Sequence, residues 1–350
     1  YQNLQPDIFA TQFNGNTRFD ILTALYAVWH RQPDVFDWPV DETGRVRFKL
    51  DRIAPLNGFA GHDAHDALGD VEATIHIARQ IAQRAPALWA ELLGNREKAH
   101  VQARLESFQP MALVERFGGG PPRATVGCFC GTSASNPNQA AFLDLEAIDP
   151  ADLIADDDAA LFAAVDATPK IIRSVAVNKS PALLSVPAPS AEQLRRSEVI
   201  ANAPGFRACV GQALAARFPE DPDAPPPPVE KQIFAGFYSH ADKALLGEFQ
   251  RADWRRRQEI VSALGDARLR QLGRRLVAFY APELFSPDER AQYEAWRYTR
   301  WSAADTPETE WMGLAKAWRA LDEMRAGEAF DPELINEIEI YLRRFDAPVG

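Results

Sequence analysis

Apolar positions recur at helical spacing through the first hundred residues. Ile21, Leu22, Leu25, Val28 and Trp29 fall at i, i+3, i+4 and i+7 intervals, which predicts a helix over 18–31. Phe48 to Leu56 keeps that spacing and stops at Asn57-Gly58, a good helix C-terminus. His65 to Ala85 predicts a longer amphipathic helix, with Leu68, Val71, Ile75, Ala78 and Ile81 as its stripe. Pro86 to Leu105 continues as a further helix.

The period then shortens. Phe117-Gly118-Gly119-Gly120-Pro121-Pro122 predicts a loop, and Arg123 to Ala147 holds β-prone pieces around a turn at Asn136-Pro137-Asn138. Lys170 to Val186 is β-branched and interrupted at Lys179-Ser180-Pro181, while 192–201 and 206–217 predict helical insertions. The proline run ending at Pro228 predicts a stiff linker. Beyond it, residues 240–350 are almost wholly helical, with stops at Gly265, Pro282, Pro287, Pro307 and Pro332. The expected order is helices, a β-rich unit, then a helical bundle.

Composition narrows the class. The chain has 350 residues, 46% hydrophobic and 25% charged, which suits two or three globular domains and excludes wholesale disorder. No apolar run approaches the ~20 residues of a membrane span, so no membrane association is expected. Cys128, Cys130 and Cys209 are too few for a disulfide scaffold and point to a reducing, cytoplasmic setting. Cys128 and Cys130 share a face if they lie in a strand, and read as core residues rather than a metal pair. The net charge of -11 argues against non-specific coating of nucleic acid, though not against a local basic surface. Residues 143–169 hold eight acids and no Lys or Arg; residues 251–300 hold eleven Arg against seven acids, interleaved with Trp254, Tyr280, Tyr293, Trp296. Phosphates attract Arg and unpaired bases stack on aromatic rings, so this strip is a candidate DNA-facing surface.

The densest chemistry lies in Gly61-His62-Asp63-Ala64-His65-Asp66-Ala67-Leu68-Gly69-Asp70, two histidines and three carboxylates at a helix entry. The plain reading makes Asp66 an N-cap, Asp70 a first-turn acid and the histidines loop residues. The chemical reading is a metal-dependent phosphodiester site, with carboxylates for hard cations such as Mg²⁺ or Mn²⁺ and a histidine to take a proton from water.

The segment 48–74 resembles the third motif of the DEDDh 3′→5′ exonucleases, a His followed five residues later by Asp, here His65 and Asp70. Arg18-Phe-Asp-Ile-Leu22, Trp38-Pro39, Asn57-Gly58, Val177-Asn-Lys-Ser-Pro181 and Phe234-Ala-Gly-Phe-Tyr-Ser-His-Ala-Asp242 follow in order. Together they resemble the bacterial members that degrade single-stranded DNA. The resemblance implies a mixed α/β and all-α chain. Its parts would be the C-terminal part of an RNase H-like exonuclease domain (1–85), an SH3-like β domain with helical insertions (86–220), a Pro-rich linker (221–229) and a helical domain (230–350).

It further implies a monomeric, Mg²⁺-dependent 3′→5′ exonuclease (Mn²⁺ as the alternative ion) that releases 5′-mononucleotides in DNA repair and recombination. His65 would be the general base and Asp70 a catalytic carboxylate and metal ligand. Lys49, Arg173, Asn178 and Lys179 would contact the substrate. Single-stranded DNA and the acidic C-terminal tail of single-stranded-DNA-binding protein would be its partners. The pattern's other three carboxylates are not matched, since Asp7 is the only acid before Arg18. The chain therefore reads as cut at its N-terminus and inactive alone, with the Leu68, Val71 and Ile75 face left without its sheet. Gln12, Tyr26, Gln32 and Glu91 also depart from the family's aromatic or basic positions. Two other classes remain open. One is a non-catalytic single-stranded-DNA-binding module. The other is an HD-type metal phosphohydrolase using His30 and Asp66.

Overall fold

The computed structural model describes residues 1–9, 15–59, 67–155, 158–217, 226–306, 309–327 and 331–346. They fall into two compact units: Phe9–Ala224, and Tyr1–Ile8 with Pro225–Gly350.

The first unit opens with helices α1 (Ile21–Arg31), α2 (Leu50–Leu56), α3 (Ala67–Arg84), α4 (Pro86–Gly94) and α5 (Lys98–Glu106). Asp20 starts α1 by accepting the Leu22 amide, a role suited to its short carboxylate. The single helix expected over 86–105 is two, parted at Asn95, whose buried amide donates to Pro181 and Leu183 carbonyls.

Helix α3 leaves most of its predicted apolar stripe bare, as expected of a face without its sheet, and buries another side with Ile81 shared. Its buried face is Gly69, Ala73, Ile77 and Ile81, packed with α1, α2 and α4 around Leu25, Val28, Ile53 and Leu88. Leu68, Val71 and Ile75 stand exposed at 64%, 54% and 42%. The helix is apolar on two sides, and the packed one carries Gly69 and Ala73 beside Ile77 and Ile81.

Five antiparallel strands follow in the order β4-β3-β2-β1-β5: β1 Met111–Glu115, β2 Arg123–Thr132, β3 Gln139–Asp144, β4 Ile172–Ala176 and β5 Leu183–Ser185. One face carries Met111, Leu113, Phe129, Phe142, Val175 and Leu183, packed with Val101 and Leu105 of α5. The opposite face is covered twice. Ala112, Val114 and Leu184 join the core of α1, α3 and α4. Cys128, Cys130, Ala141 and Leu143 pack under α6 (Pro150–Ala155), α7 (Asp158–Asp166), α8 (Ala191–Ala201) and α9 (Pro204–Ala216). Burial on both faces is why β1 and β3 read as unbroken apolar runs. Both cysteines of β2 are fully buried and unbridged, and burial pushes the Cys128 thiol up to about 12.

Strand β5 is an edge strand with its outward backbone groups occupied. The Leu183 amide donates to the Pro181 carbonyl, and the Leu183 carbonyl accepts from Asn95 and Arg104. The Ser185 amide donates to Glu91, and its carbonyl accepts from Arg31.

Helix α9 lies so close to β2 that a Cβ at Gly211 would sit 2.3 Å from the Thr132 carbonyl oxygen. Gly211→Ala should therefore cost about 1–3 kcal/mol by overpacking. A lowered urea midpoint with unchanged slope is the expected result, and an unchanged midpoint would contradict the close approach.

In the second unit, α10 (His240–Phe249), α11 (Trp254–Ala263) and α12 (Ala267–Tyr280) enclose Leu246, Phe249, Ile260, Leu269 and Val277. Leu4, fully buried, belongs to this core, and the Tyr1 hydroxyl donates to the Val229 carbonyl. Ser239, Asp253 and Asp266 cap the three helices through their side chains. Helices α13 (Pro287–Trp301), α14 (Leu314–Ala326) and α15 (Pro332–Asp346) follow, with a small core of Leu321, Ile335 and Leu342. Pro287 and Pro332 begin helices rather than end them, as their fixed φ allows.

Candidate functional site

Asp70 stands in the first turn of α3, partly buried. The helix is anchored by its Ala73, Ile77 and Ile81 face, which fixes where the carboxylate emerges. His62, Asp63, His65 and Asp66 lie outside the described residues. The chain enters that segment from a well-tied corner. The Asn57 side chain donates to the Asp37 and Ile53 carbonyls and accepts the Asp37 amide. The Asn57 carbonyl is 2.9 Å from His76 Nε2 and accepts from Gln80, both on α3. Gly58, at φ +87°, turns the backbone where a side chain would strain it.

Lys49 precedes α2 and is exposed. It lines a cleft of about 1400 Å³ with Tyr26, Trp38, Arg47, Arg52 and Arg116. Arg47 pairs with Asp41 at 2.6 Å. Hydrogen bonds from the Thr43 hydroxyl and the Arg45 and Thr43 amides, with the Arg47 charge adding to them, hold that carboxyl down at about 2. A smaller depression of about 280 Å³ is lined by Thr23, Tyr26, Glu115, Arg116, Ser174 and Lys179. Tyr26 and Arg116 line both, so Lys49 and Lys179 border adjoining hollows of one surface.

Asn178 and Lys179 are exposed in the turn after β4. That turn is pinned by Ser180, at φ +46°, whose hydroxyl donates to the Arg18 carbonyl at 2.9 Å. Arg173, on β4, makes one long contact with Glu115 at 3.3 Å, and its guanidinium lies 5.6 Å from the Phe117 ring centre. Its Nε is buried without a hydrogen-bond partner. Burial pushes the Glu115 carboxyl above its usual range, against the pull of Arg173.

The two hollows gather Arg47, Lys49, Arg52, Arg116 and Lys179 against Asp41, Glu42 and Glu115, and Arg173 reaches Glu115. This basic excess on an acidic protein suits a polyanion. Asp70 lines neither hollow. Arg116 was not singled out by sequence. An arginine closing an apolar strand beside a glycine loop was the available signal. Its guanidinium covers the Phe48 ring at 5.1 Å.

The arginine strip of 251–300 is largely spent inside its own unit. Arg256 pairs with Glu248 and Glu259, and Arg257 covers Trp254 and donates to the Phe249 carbonyl. Arg275 and Arg300 share Glu230 and both lie over Trp296. These contacts favour a structural role over a DNA-facing one.

Among the described residues no group of three or more His, Cys, Asp or Glu could hold a metal ion. Asp70 alone offers one carboxylate, so these residues do not by themselves make a two-ion site. No helix among the described residues is long and apolar enough to cross a membrane. His30 sits in the last turn of α1, exposed.

Residues 227–345 match the family model of the exonuclease I C-terminal domain. Exodeoxyribonuclease I of Escherichia coli is 26% identical over 264 residues, covering 70% of this chain and 56% of that protein. The enzyme of the same name from Haemophilus influenzae is 31% identical over 105 residues, 30% of this chain and 22% of that one. The chain thus spans little more than half of the longer match. Among solved structures, an exonuclease I from Methylocaldum szegediense superposes with TM-score 0.76 at 24% identity, covering 99% of this chain and 77% of that one. E. coli exonuclease I in complex with a dA16 oligonucleotide gives TM-score 0.76 at 22% identity, over 99% and 76%. An exonuclease I complex with the C-terminal peptide SSB-Ct gives 0.70 at 22% identity, over 95% and 73%. The fold is shared with all three.

Proposed function

We propose that the chain belongs to the bacterial exonuclease I family, on its match to the C-terminal domain model and to the E. coli enzyme, and that its protein removes nucleotides from the 3′ end of single-stranded DNA, releasing 5′-mononucleotides. The 264-residue match to the E. coli enzyme carries this reading. Asp70 is read as a metal-binding carboxylate and His65 as the base that takes a proton from the attacking water. Lys49, Arg173, Asn178 and Lys179 hold the strand. A divalent ion, Mg²⁺ with Mn²⁺ as alternative, supplies charge stabilisation at the phosphate when bound. Among the described residues no cluster of carboxylates completes its coordination beside Asp70.

The finer fold reading is an RNase H-like part, an SH3-like sheet and a helical domain. The exposed Leu68, Val71 and Ile75 face supports it, because a sheet of the RNase H-like kind would cover that side of α3. The domain boundaries proposed are 1–85, 86–220, 221–229 and 230–350, in a cytoplasmic monomer. The tail of single-stranded-DNA-binding protein is the proposed protein partner, by analogy with the SSB-Ct complex.

The test is degradation of a 5′-labelled single strand by the complete protein. Shortening from the 3′ end with Mg²⁺, stopped by excess chelator, is expected. Undiminished activity in chelator would defeat the metal reading, and attack from the 5′ end would defeat the polarity.

A further inference from the structure

Beyond β1 the chain makes a short loop that displays one aromatic ring. Gly118 takes φ +60°, a left-handed turn that suits glycine. The Arg116 Nε donates to the Gly120 carbonyl at 2.8 Å and closes the loop. Phe117, at the bend, is 65% exposed. A lone exposed phenylalanine is unremarkable on a protein surface. This one has a cationic surround. The Arg173 guanidinium lies 5.6 Å from its ring centre. Arg123, exposed, lies opposite Glu115 in the β1–β2 register. Arg45 Nη1 comes within 3.7 Å of a Cβ position at Gly119. Glu115 is the counter-charge to Arg173, through a single contact of 3.3 Å, and leaves its buried Nε without an acceptor.

An aromatic ring beside three arginines, one of them held by a single 3.3 Å contact with Glu115, matches two needs of an unpaired strand at once. A base offers a π face for stacking, and its flanking phosphates take the cations. A hydrophobic peptide would meet the ring but leave the arginines without partners. A free anion would meet the arginines and leave the ring in water.

We propose that Phe117 is a stacking platform for one unpaired base of single-stranded DNA, with Arg173 at an adjoining phosphate. This rests on the single-stranded-DNA reading above. The test is equilibrium binding in chelator, comparing an oligo(dT) with an oligonucleotide of the same length made wholly of abasic nucleotides. Phe117→Ala should weaken oligo(dT) binding about tenfold, as for loss of one stacked base, and leave abasic binding unchanged. Phe117→Trp should restore affinity, and its added fluorescence should be quenched by oligo(dT). The thermal midpoint of Phe117→Ala should stay at the wild-type value, because an exposed ring carries little of the core. Equal weakening on both strands, or no weakening on either, would overturn the stacking role. If the unaltered protein binds neither strand, the single-stranded-DNA reading fails, and this inference with it. If it binds both and only Phe117→Ala is silent, the stacking inference fails alone.

Discussion

Asp70→Asn is expected to reduce turnover of single-stranded DNA to background in the complete protein while leaving the fold intact. Asparagine keeps the size of the side chain and removes the charge a hard cation requires. The position is set by the backbone of α3, whose Ala73, Ile77 and Ile81 are fully buried. The folding cost should be small. A first-turn acid gains about 0.3–1 kcal/mol from the helix dipole, which asparagine forfeits. The measurement pairs nucleotide release with a thermal melt. Activity within tenfold of the unaltered protein, at an unchanged melting midpoint, would remove Asp70 from the metal site.

His65→Ala should lower turnover by roughly 10²–10⁴-fold, the usual contribution of a positioned general base. His62→Ala should do far less. The two histidines share a segment and differ by three positions, so the comparison tests the register of the motif rather than its presence. His30→Ala and Asp66→Ala serve as the opposing pair. Loss of activity in those two with His65→Ala silent would favour the HD-type phosphohydrolase. An essential His62 with a dispensable His65 would mean the motif is misaligned.

Sequence legibility followed the reach of each signal. Helices α1 and α2 and the hairpin around Asn136-Pro137-Asn138 were legible because their caps and turns are local, as with Asp20 at the start of α1. Strand β1 was missed. Met111 to Val114 are buried on both faces, so the segment lacks the alternation that marks a strand. Helices α6 and α7 were hidden in a stretch read for its acids. The packed face of α3 was less legible because Gly69 and Ala73 carry little hydrophobic signal, whereas its Leu68, Val71 and Ile75 face is bare, as expected of a face left without its sheet. The arginine strip misled for a different reason. Glu230 and Glu248, which engage Arg275, Arg300 and Arg256, lie outside the counted segment. A charge tally over a window cannot see partners that only folding brings near. For the same reason Arg116 and Phe117 escaped notice, since their interest lies in Phe48 and Arg173 beside them.

The side chains gathered along β5 bear on how the protein behaves in a crowded solution. An uncapped edge strand is a template on which a second copy can add its own strand, and repetition of that step makes fibrils. Here Asn95 and Arg104 occupy the Leu183 carbonyl, Glu91 takes the Ser185 amide and Arg31 the Ser185 carbonyl. An incoming strand would have to displace all four, including the charge-assisted contact between Arg104 and Glu91 at 2.8 Å. The sheet therefore ends at β5 by chemistry and not only by chain length, and this margin is closed to self-templated growth.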